Sequence, residues 1–350
     1  MKVILLAPLP PPSGGIAGWT QRMLSTNLKN GWKVVVVDEK LIGNRNEKGG
    51  GHKKSIITEL RRACHIWKAL IKQFSDPDAR IVQACIPATA GAMLRELVSA
   101  KITHRKGRKF IIHFRCTVPN MVKTKNSKIL LKCLIKNSDC VFCLNQQTMD
   151  YIKSLIKHVD CRYIPNFVDV SETYNRKDYS ETIKKIVYTG RIFENKGCRL
   201  IVDVARQCPD IQFELIGKVM MDIKDLPSNV NLTGELDREL IRKELKNSDV
   251  FMFLTSFPGE GFSNSLAEAM AYSLPCIVTN WAANKDMIGI DGGVVLENPS
   301  IDSVIKAIRD LSNKDIRVKM GANNYKKVTN FYCQESVTTQ YVDSYEDLLR

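Results

Sequence analysis

The chain has 350 residues, too long for one ordinary hydrophobic core and suited to two domains. Hydrophobic residues make up 44% and charged residues 25%, the balance of a folded soluble protein, and no apolar run approaches the roughly 18 residues of a membrane span. The formal charge of +15 is lopsided: residues 1–170 carry a balance of +18 and residues 171–350 a balance of −3. The first half is therefore expected to meet an anionic partner, such as membrane lipid, an acidic glycan or nucleic acid. The eleven cysteines are odd in number and lack a small-domain spacing, and the start "MKVILLAPLPPP" is too short and proline-rich for a secretion signal. Reduced thiols and a cytoplasmic location follow as expectations.

In chain order, "KVILLA" (2–7) is a short apolar run bounded by prolines, followed by a helical stretch from about Ile16 and the β-branched "KVVVVD" (33–38). "GNRNEKGGGHKK" (43–54) reads as a flexible loop. A helix over Ile56 to Phe74 follows, with Ile56, Leu60, Ala63, Trp67, Leu70 and Phe74 stepping by three and four. "RIVQACI" (80–86), "KFIIHF" (109–114) and "DCVFCLN" (139–145) are buried-strand candidates separated by helices, an alternation that predicts a parallel sheet covered by helices. "IPNFVD" (164–169) reads as a hinge and 171–182 as a polar linker. The second half repeats the alternation with strands at 184–190, 211–217, 230–234, 249–255 and 275–280, and a mostly helical tail from about Asp302. "LIKNSDCVFCLN" (134–145) and "LKNSDVFMFLTS" (245–256) share a helix end, the turn Lys-Asn-Ser-Asp and a strand. The C-x-x-C pair Cys140 and Cys143 lies within a strand pattern and has no matching pair, so core thiols are expected there rather than a metal.

Open parallel sheets bind ligands beyond the carboxyl ends of their strands, so the residues that follow each strand carry the functional reading. After the first strand, Gly14 and Gly15 open a helix and could bring backbone N–H groups to an anion; a plain turn explains them equally well. Neither G-x-G-x-x-G nor G-x-x-x-x-G-K-[ST] occurs. His113 ends the strand "KFIIHF". Arg191 and Lys196, five apart in "RIFENKG", suit the two phosphates of a nucleoside diphosphate, the alternative being two solvated loop charges. "GEGFSNSLAEAMA" (259–271) places Glu260 and Glu268 eight apart across a strand-to-helix turn. Ser265 and Glu268 also satisfy a capping-box pattern, which accounts for neither Glu260 nor the open run before the helix. A carboxylate at each end of a loop with unpaired N–H donors suits a nucleotide sugar: ribose, diphosphate, hexose.

These segments resemble the retaining family-4 glycosyltransferases, of E-x7-E type and GT-B architecture, over nearly the whole chain. "PPSGGIAGW" is similar to the family's N-terminal glycine loop, "PNFVD" to its P-N-G-V-D, "GRIFENKG" to its G-R-x-x-x-x-K-G, and "EGFSNSLAEAMAYSLPCIVTN" to its E-x7-E block. The resemblance implies an α/β fold of two facing Rossmann-like domains, an acceptor-binding one over 1–168 and a nucleotide-sugar-binding one over 169–332. A C-terminal helix (333–350, with "QESVTTQYVDSYEDLL" at 334–349) would pack back on the first. It implies that Arg191 and Lys196 neutralise the donor diphosphate, that Gly15 beside Gly14 offers an N–H to phosphate, and that Glu268 holds the ribose. Glu260 would contact the transferred sugar with the backbone of Gly261, Phe262 and Ser263, and His113 would lie by the sugar and the acceptor hydroxyl. It implies retention of anomeric configuration with the donor phosphate as base, and no metal or other cofactor; a UDP-sugar is the favoured donor and a GDP-sugar the alternative. Phe167 and Ser273 stand where the family has glycine.

If "KNSKILLKCLIK" (125–136) is helical, Lys125, Lys128, Lys132 and Lys136 line one face. With the acceptor on this half, that face predicts attachment to an anionic membrane surface, hence a peripheral location on the inner face of the membrane, and a glycan or lipid-linked acceptor in surface polysaccharide or glycolipid synthesis. The competing readings are a solvated helix face, a nucleotide-sugar 2-epimerase of the same fold, a sugar-nucleotide sensor, and a basic nucleic-acid-binding protein. No basic–aromatic interleaving or known nucleic-acid motif supports the last, so no nucleic-acid partner is expected.

Overall fold

The structure, a computed structural model, describes residues 1–11, 14–39, 55–170 and 179–350; the expected loop at 43–54 and residues 171–178 of the expected linker lie outside these. The chain divides into two compact units, residues 1–166 with 337–350, and residues 167–336.

Unit 1 runs β1 (Lys2–Ala7), α1 (Gly15–Leu24), β2 (Lys33–Asp38), α2 (Ile56–Gln73), β3 (Ala79–Ile86), α3 (Ala90–Arg105), β4 (Lys109–Phe114), α4 (Val118–Met121), α5 (Lys125–Lys136), β5 (Cys140–Cys143), α6 (Gln146–Leu155) and β6 (Cys161–Tyr163). Unit 2 runs β7 (Lys185–Thr189), α7 (Cys198–Arg206), β8 (Gln212–Ile216), β9 (Val230–Gly234), α8 (Arg238–Lys246), β10 (Val250–Phe253), α9 (Asn264–Ala271), β11 (Cys276–Thr279), α10 (Asn284–Ile288), β12 (Gly293–Leu296), α11 (Ile301–Asp310) and α12 (Lys314–Lys327). The last helix, α13 (Gln334–Leu349), begins at the end of unit 2 and puts its remaining length in unit 1.

Each unit holds a six-stranded parallel sheet, in the order β2-β1-β3-β4-β5-β6 and β12-β11-β10-β7-β8-β9. The expected fold class, parallel sheets covered by helices, is the one observed. The runs that marked strands are apolar on both faces because helices cover both sides of such a sheet. Val3 to Ala7 and Val250 to Met252 have no exposed surface. β6 and β12, three and four residues long, were not expected.

The buried residues of α2 are Arg62, Ala63, Ile66 and Leu70, while Ile56 and Leu60 of the apolar spacing are exposed. One local expectation, the Ser265 cap, needs correction and is taken up with the site.

The repeated Lys-Asn-Ser-Asp turn does the same work in both units. Asp139 accepts from the backbone N–H of Phe110 at 2.8 Å, and Asp249 accepts from those of Lys184 and Lys185 at 2.8 and 3.0 Å. Each carboxylate ties the turn before one strand to the start of its neighbour. α13 buries Val337, Tyr341, Val342 and Tyr345, and Tyr345 Oη donates to Gln83 Oε1 on β3 at 2.6 Å.

Candidate active site

Strand order reverses once in each sheet, between β1 and β3 in unit 1 and between β7 and β10 in unit 2. At such a switch point the flanking connections leave in opposite directions and open a crevice at the carboxyl edge. The loops bearing Arg191 and Lys196 (after β7) and Glu260 (after β10) flank the switch point of unit 2.

Glycines set the path of the first loop. Gly190 has φ 141°, and a Cβ on Gly217 would lie 2.0 Å from the Gly190 carbonyl oxygen. Tyr188 Oη donates to the Arg191 carbonyl at 2.8 Å. Gly197, left-handed at φ 75°, ends a single 3₁₀ turn over Glu194–Lys196 and starts α7. This folds the loop against the end of β10, where Ser256 N–H donates to the Asn195 carbonyl at 2.8 Å. In the second loop, Glu260 N–H donates to the Phe257 carbonyl at 3.0 Å, and Trp281 Nε1 donates to the same carbonyl at 2.7 Å.

The two loops meet through an ion pair between Lys196 Nζ and Glu260 Oε2, with side chains only 11% and 12% exposed. The ammonium also lies 5.0 and 5.4 Å from the ring centroids of Phe253 and Phe257. Arg191 is exposed, its guanidinium 5.6 Å from the Phe193 ring, which meets Phe257 edge-on. Sequence spacing put Arg191 with Lys196 on the donor phosphates. The structure adds that Lys196 is bound to Glu260, so cation and carboxylate sit as one unit on an aromatic floor.

Ser263, not Ser265, caps α9: its hydroxyl accepts from Leu266 N–H at 3.2 Å and lies 3.1 Å from Ser265 Oγ. Gly261, Phe262 and Ser263 are buried, and the Phe262 ring packs edge-on against Tyr332. With the cap two residues earlier, half-buried Glu268 falls in the second turn of α9, outside any capping box.

In unit 1, Gly14 and Gly15 are exposed at the start of α1 and line a cavity of about 510 Å³ at that unit's switch point. Its other polar walls, Glu39, Arg62 and Arg95, went unnoticed in the sequence; the place of Glu39 directly after β2 was the one available hint. His113 lies inside the unit with no exposed surface, ringed by Trp19, Phe142 and Tyr341. Its expected seat beside a sugar is thus an enclosed one. Arg115 Nη1 lies 3.3 Å from His113 Nε2, and Gln83 Nε2 and Tyr341 Oη lie 3.3 and 3.4 Å from its Nδ1. Burial, and after it the charge of Arg115, holds the imidazole well below its usual range and keeps it neutral. Arg115, also missed, stacks 4.2 Å over Trp19 and donates to Asn166 of the expected hinge motif. On α5 the four lysines Lys125, Lys128, Lys132 and Lys136 are exposed while Leu131, Leu134 and Ile135 face the core; Ile129 is also exposed. Among the described residues no helix is long and apolar enough to cross a membrane.

Residues 170–327 match the family model described as glycosyl transferases group 1. The chain is 27% identical over 239 residues to UDP-Gal:α-D-GlcNAc-diphosphoundecaprenol α-1,3-galactosyltransferase of Escherichia coli, covering 61% of this chain and 59% of that protein. It is 24% identical over 241 residues to N-acetyl-α-D-glucosaminyl L-malate synthase of Bacillus anthracis, covering 63% of each. The chain thus spans about six-tenths of the length of these curated relatives. Among solved structures it is similar to sucrose-phosphate synthase of Thermosynechococcus elongatus (TM-score 0.78, 15% identity, 99% of each chain). It is also similar to the lipopolysaccharide outer core galactosyltransferase WaaB (0.75, 15%, 99% of each) and to Anabaena HepE in complex with UDP (0.72, 13%, 99% of this chain and 100% of that one). The chain therefore has the GT-B fold class of these solved structures, and its residues 170–327 match the group 1 glycosyl transferase model.

Proposed function

We propose that the chain is a retaining, metal-independent glycosyltransferase that moves a hexosyl group from a nucleotide-diphosphate sugar, a UDP-sugar first, to a glycan or lipid-linked acceptor in polysaccharide or glycolipid synthesis. The observation that carries this is the Lys196–Glu260 pair, which joins two loops at the switch point of unit 2 with Arg191 alongside. Two cations suit the diphosphate, and a carboxylate held beside one of them suits a sugar hydroxyl. Glu268 on α9 would take the ribose, Gly15 with Gly14 would donate backbone N–H to phosphate, and His113 would act through Arg115 as a positioning residue. The names of the Escherichia coli relative and of the HepE complex support UDP as the nucleotide.

In the step proposed, the bond from the anomeric carbon to the diphosphate oxygen breaks and one to the acceptor oxygen forms on the same face. The acceptor proton passes to the departing phosphate, while Arg191 and Lys196 stabilise its growing charge. Peripheral attachment to an anionic membrane through the α5 lysines would present the acceptor.

The test is a donor screen by calorimetry with UDP-, GDP- and TDP-sugars, followed by transfer assays in EDTA and assignment of the product anomer by NMR. Arg191→Ala and Lys196→Ala should each lower transfer at least about 100-fold with the fold intact. Wild-type turnover in both variants would refute the mechanism, loss of activity in EDTA the metal independence, and an inverted anomer the retention. Release of nucleotide without any acceptor would favour the epimerase instead.

A further inference from the structure

The cavity of unit 1 lies between the glycine loop after β1 and the segment Pro87–Gly91 after β3, with Glu39 following β2. Its floor is a buried charge cluster. Arg95 Nη2 donates to Glu39 Oε1 at 2.6 Å and Arg95 Nε to Glu96 Oε1 at 2.5 Å. Arg62 Nε donates to the Glu39 carbonyl at 2.7 Å and Arg62 Nη1 to Glu59 Oε2 at 3.3 Å. Glu39 is 3% exposed, Arg62 and Arg95 are 9% exposed, and Glu96 is wholly buried. Replacing such a network by well-packed apolar residues is commonly neutral or stabilising, so stability alone does not account for four ionisable side chains placed under an open cavity.

The chemistry of this floor selects against an anion. Two guanidinium groups face Glu39, Glu59 and Glu96, so the cluster has no net positive charge in any protonation state near neutrality. Both arginines already donate to carboxylates, so neither offers a free two-pronged fork to a phosphate. Burial, and after it the charge of Glu96, pushes the Glu39 carboxyl up to about 8, which leaves it a neutral acid beside that carboxylate at pH 7. Hydroxyl groups, by contrast, can accept from such donors and donate to such carboxylates at the same time. The walls at Pro8, Ile16, Pro87 and Ala92 are apolar and suit the C–H faces of a pyranose, and Thr89 at the mouth makes no helix-capping bond with its hydroxyl.

We infer that the floor of this cavity, at Glu39 and Arg95, is a subsite for a neutral, polyhydroxylated sugar residue. Its role as the acceptor subsite rests on the transferase reading above; the binding itself does not.

Gly91 lines the cavity, and a Cβ added there meets no atom within 4 Å, so bulk at this wall need not disturb the fold. The experiment is saturation-transfer NMR on the full chain with the methyl α-D-glycosides of glucose, galactose and N-acetylglucosamine, alone and in competition with excess inorganic phosphate. At least one glycoside should bind in about the millimolar range, and phosphate should leave its affinity within about twofold. Gly91→Phe and Gly91→Leu should each weaken the glycoside at least about tenfold, with Gly91→Ala within about twofold of wild type. Binding of none of the three glycosides overturns the inference, as does wild-type affinity in both bulky variants, or weakening of the glycoside beyond about twofold by excess phosphate. A parallel UDP titration separates the two readings: absence of UDP binding by wild type counts against the donor site in unit 2 alone.

Discussion

Gly197 approaches the end of β10 so closely that a Cβ on it would lie 2.3 Å from the carbonyl oxygen of Leu254. No L side chain fits there, and its left-handed φ of 75° favours glycine independently. This contact holds the turn bearing Lys196 against the strand that leads to Glu260. Gly197→Ala is therefore expected to destabilise unit 2 by more than about 2 kcal/mol and to cost donor affinity as well. Denaturant unfolding and nucleotide calorimetry check it, and a change below about 0.5 kcal/mol sinks the argument.

The Lys196–Glu260 pair is nearly buried, so removing either partner strands the other. Lys196→Ala, Glu260→Ala and the double variant should show a coupling energy of about 1–3 kcal/mol in a double-mutant cycle of unfolding. Additivity within about 0.3 kcal/mol would mean that the two groups do not act as one unit.

Ser273, which stands where the resembled family has glycine, adopts φ 57°. That left-handed conformation costs a non-glycine residue about 1 kcal/mol. Ser273→Gly should accordingly raise stability by about 0.5–1 kcal/mol, read as an upward shift in the unfolding midpoint. An unchanged or lowered midpoint contradicts the strain assigned here.

Two buried groups in unit 1 pull stability in opposite directions with pH. His113 has its folded pKa depressed, so its neutral form belongs to the native state and stability drains away as pH falls below about 6.5, the unfolded value. Glu39 has its folded pKa raised, so its contribution is fully present below the unfolded value and is lost as pH rises through about 8. Relative to wild type, His113→Asn should gain up to about 1.4 kcal/mol per pH unit on going down from pH 6.5 to 5. Glu39→Gln should gain at up to about that rate on going up from pH 5 to 8. Parallel stability curves for a variant and wild type would show that its group does not titrate as described.

On α5 the exposed lysines alternate with exposed Ile129 above a buried stripe of Leu131, Leu134 and Ile135. Changing Lys125, Lys128, Lys132 and Lys136 to glutamate leaves that stripe intact. The change should abolish salt-sensitive binding to phosphatidylglycerol vesicles, measured by co-sedimentation at low and high salt. Undiminished binding by the fourfold variant ends the membrane proposal.

Much of the fold was legible because strands buried on both faces leave uninterrupted apolar runs, as in "KVILLA" and "VFMF". β6, "CRY" at a sheet edge, escaped because so short a strand needs no such run. The 3–4 spacing of apolar residues marked α2 as a helix but not its rotation; Arg62, ion-paired with Glu39 and Glu59, lies on the buried face. The cap of α9 was misplaced because a Ser-x-x-Glu pattern says nothing of where the preceding chain turns, and here Ser263 already takes the cap. For the site, Arg191, Lys196 and Glu260 could be read from local spacing because each sits in a short loop directly after a strand. The Glu39–Arg62–Arg95–Glu96 cluster could not, since it is assembled from the end of β2 and two separate helices.

The place of α13 has a consequence for the order in which the molecule is completed. Tyr341 and Tyr345 close the interior around His113 and Gln83, yet residues 337–350 follow unit 2 in the chain. During synthesis the first sheet emerges early and waits with that interior uncovered, while residues 167–336 are made and can fold as their own unit. The part of the chain translated first is thus the last to be finished, and a ribosome stalled within unit 2 would hold a nascent chain with an open seam beside β3 and β4.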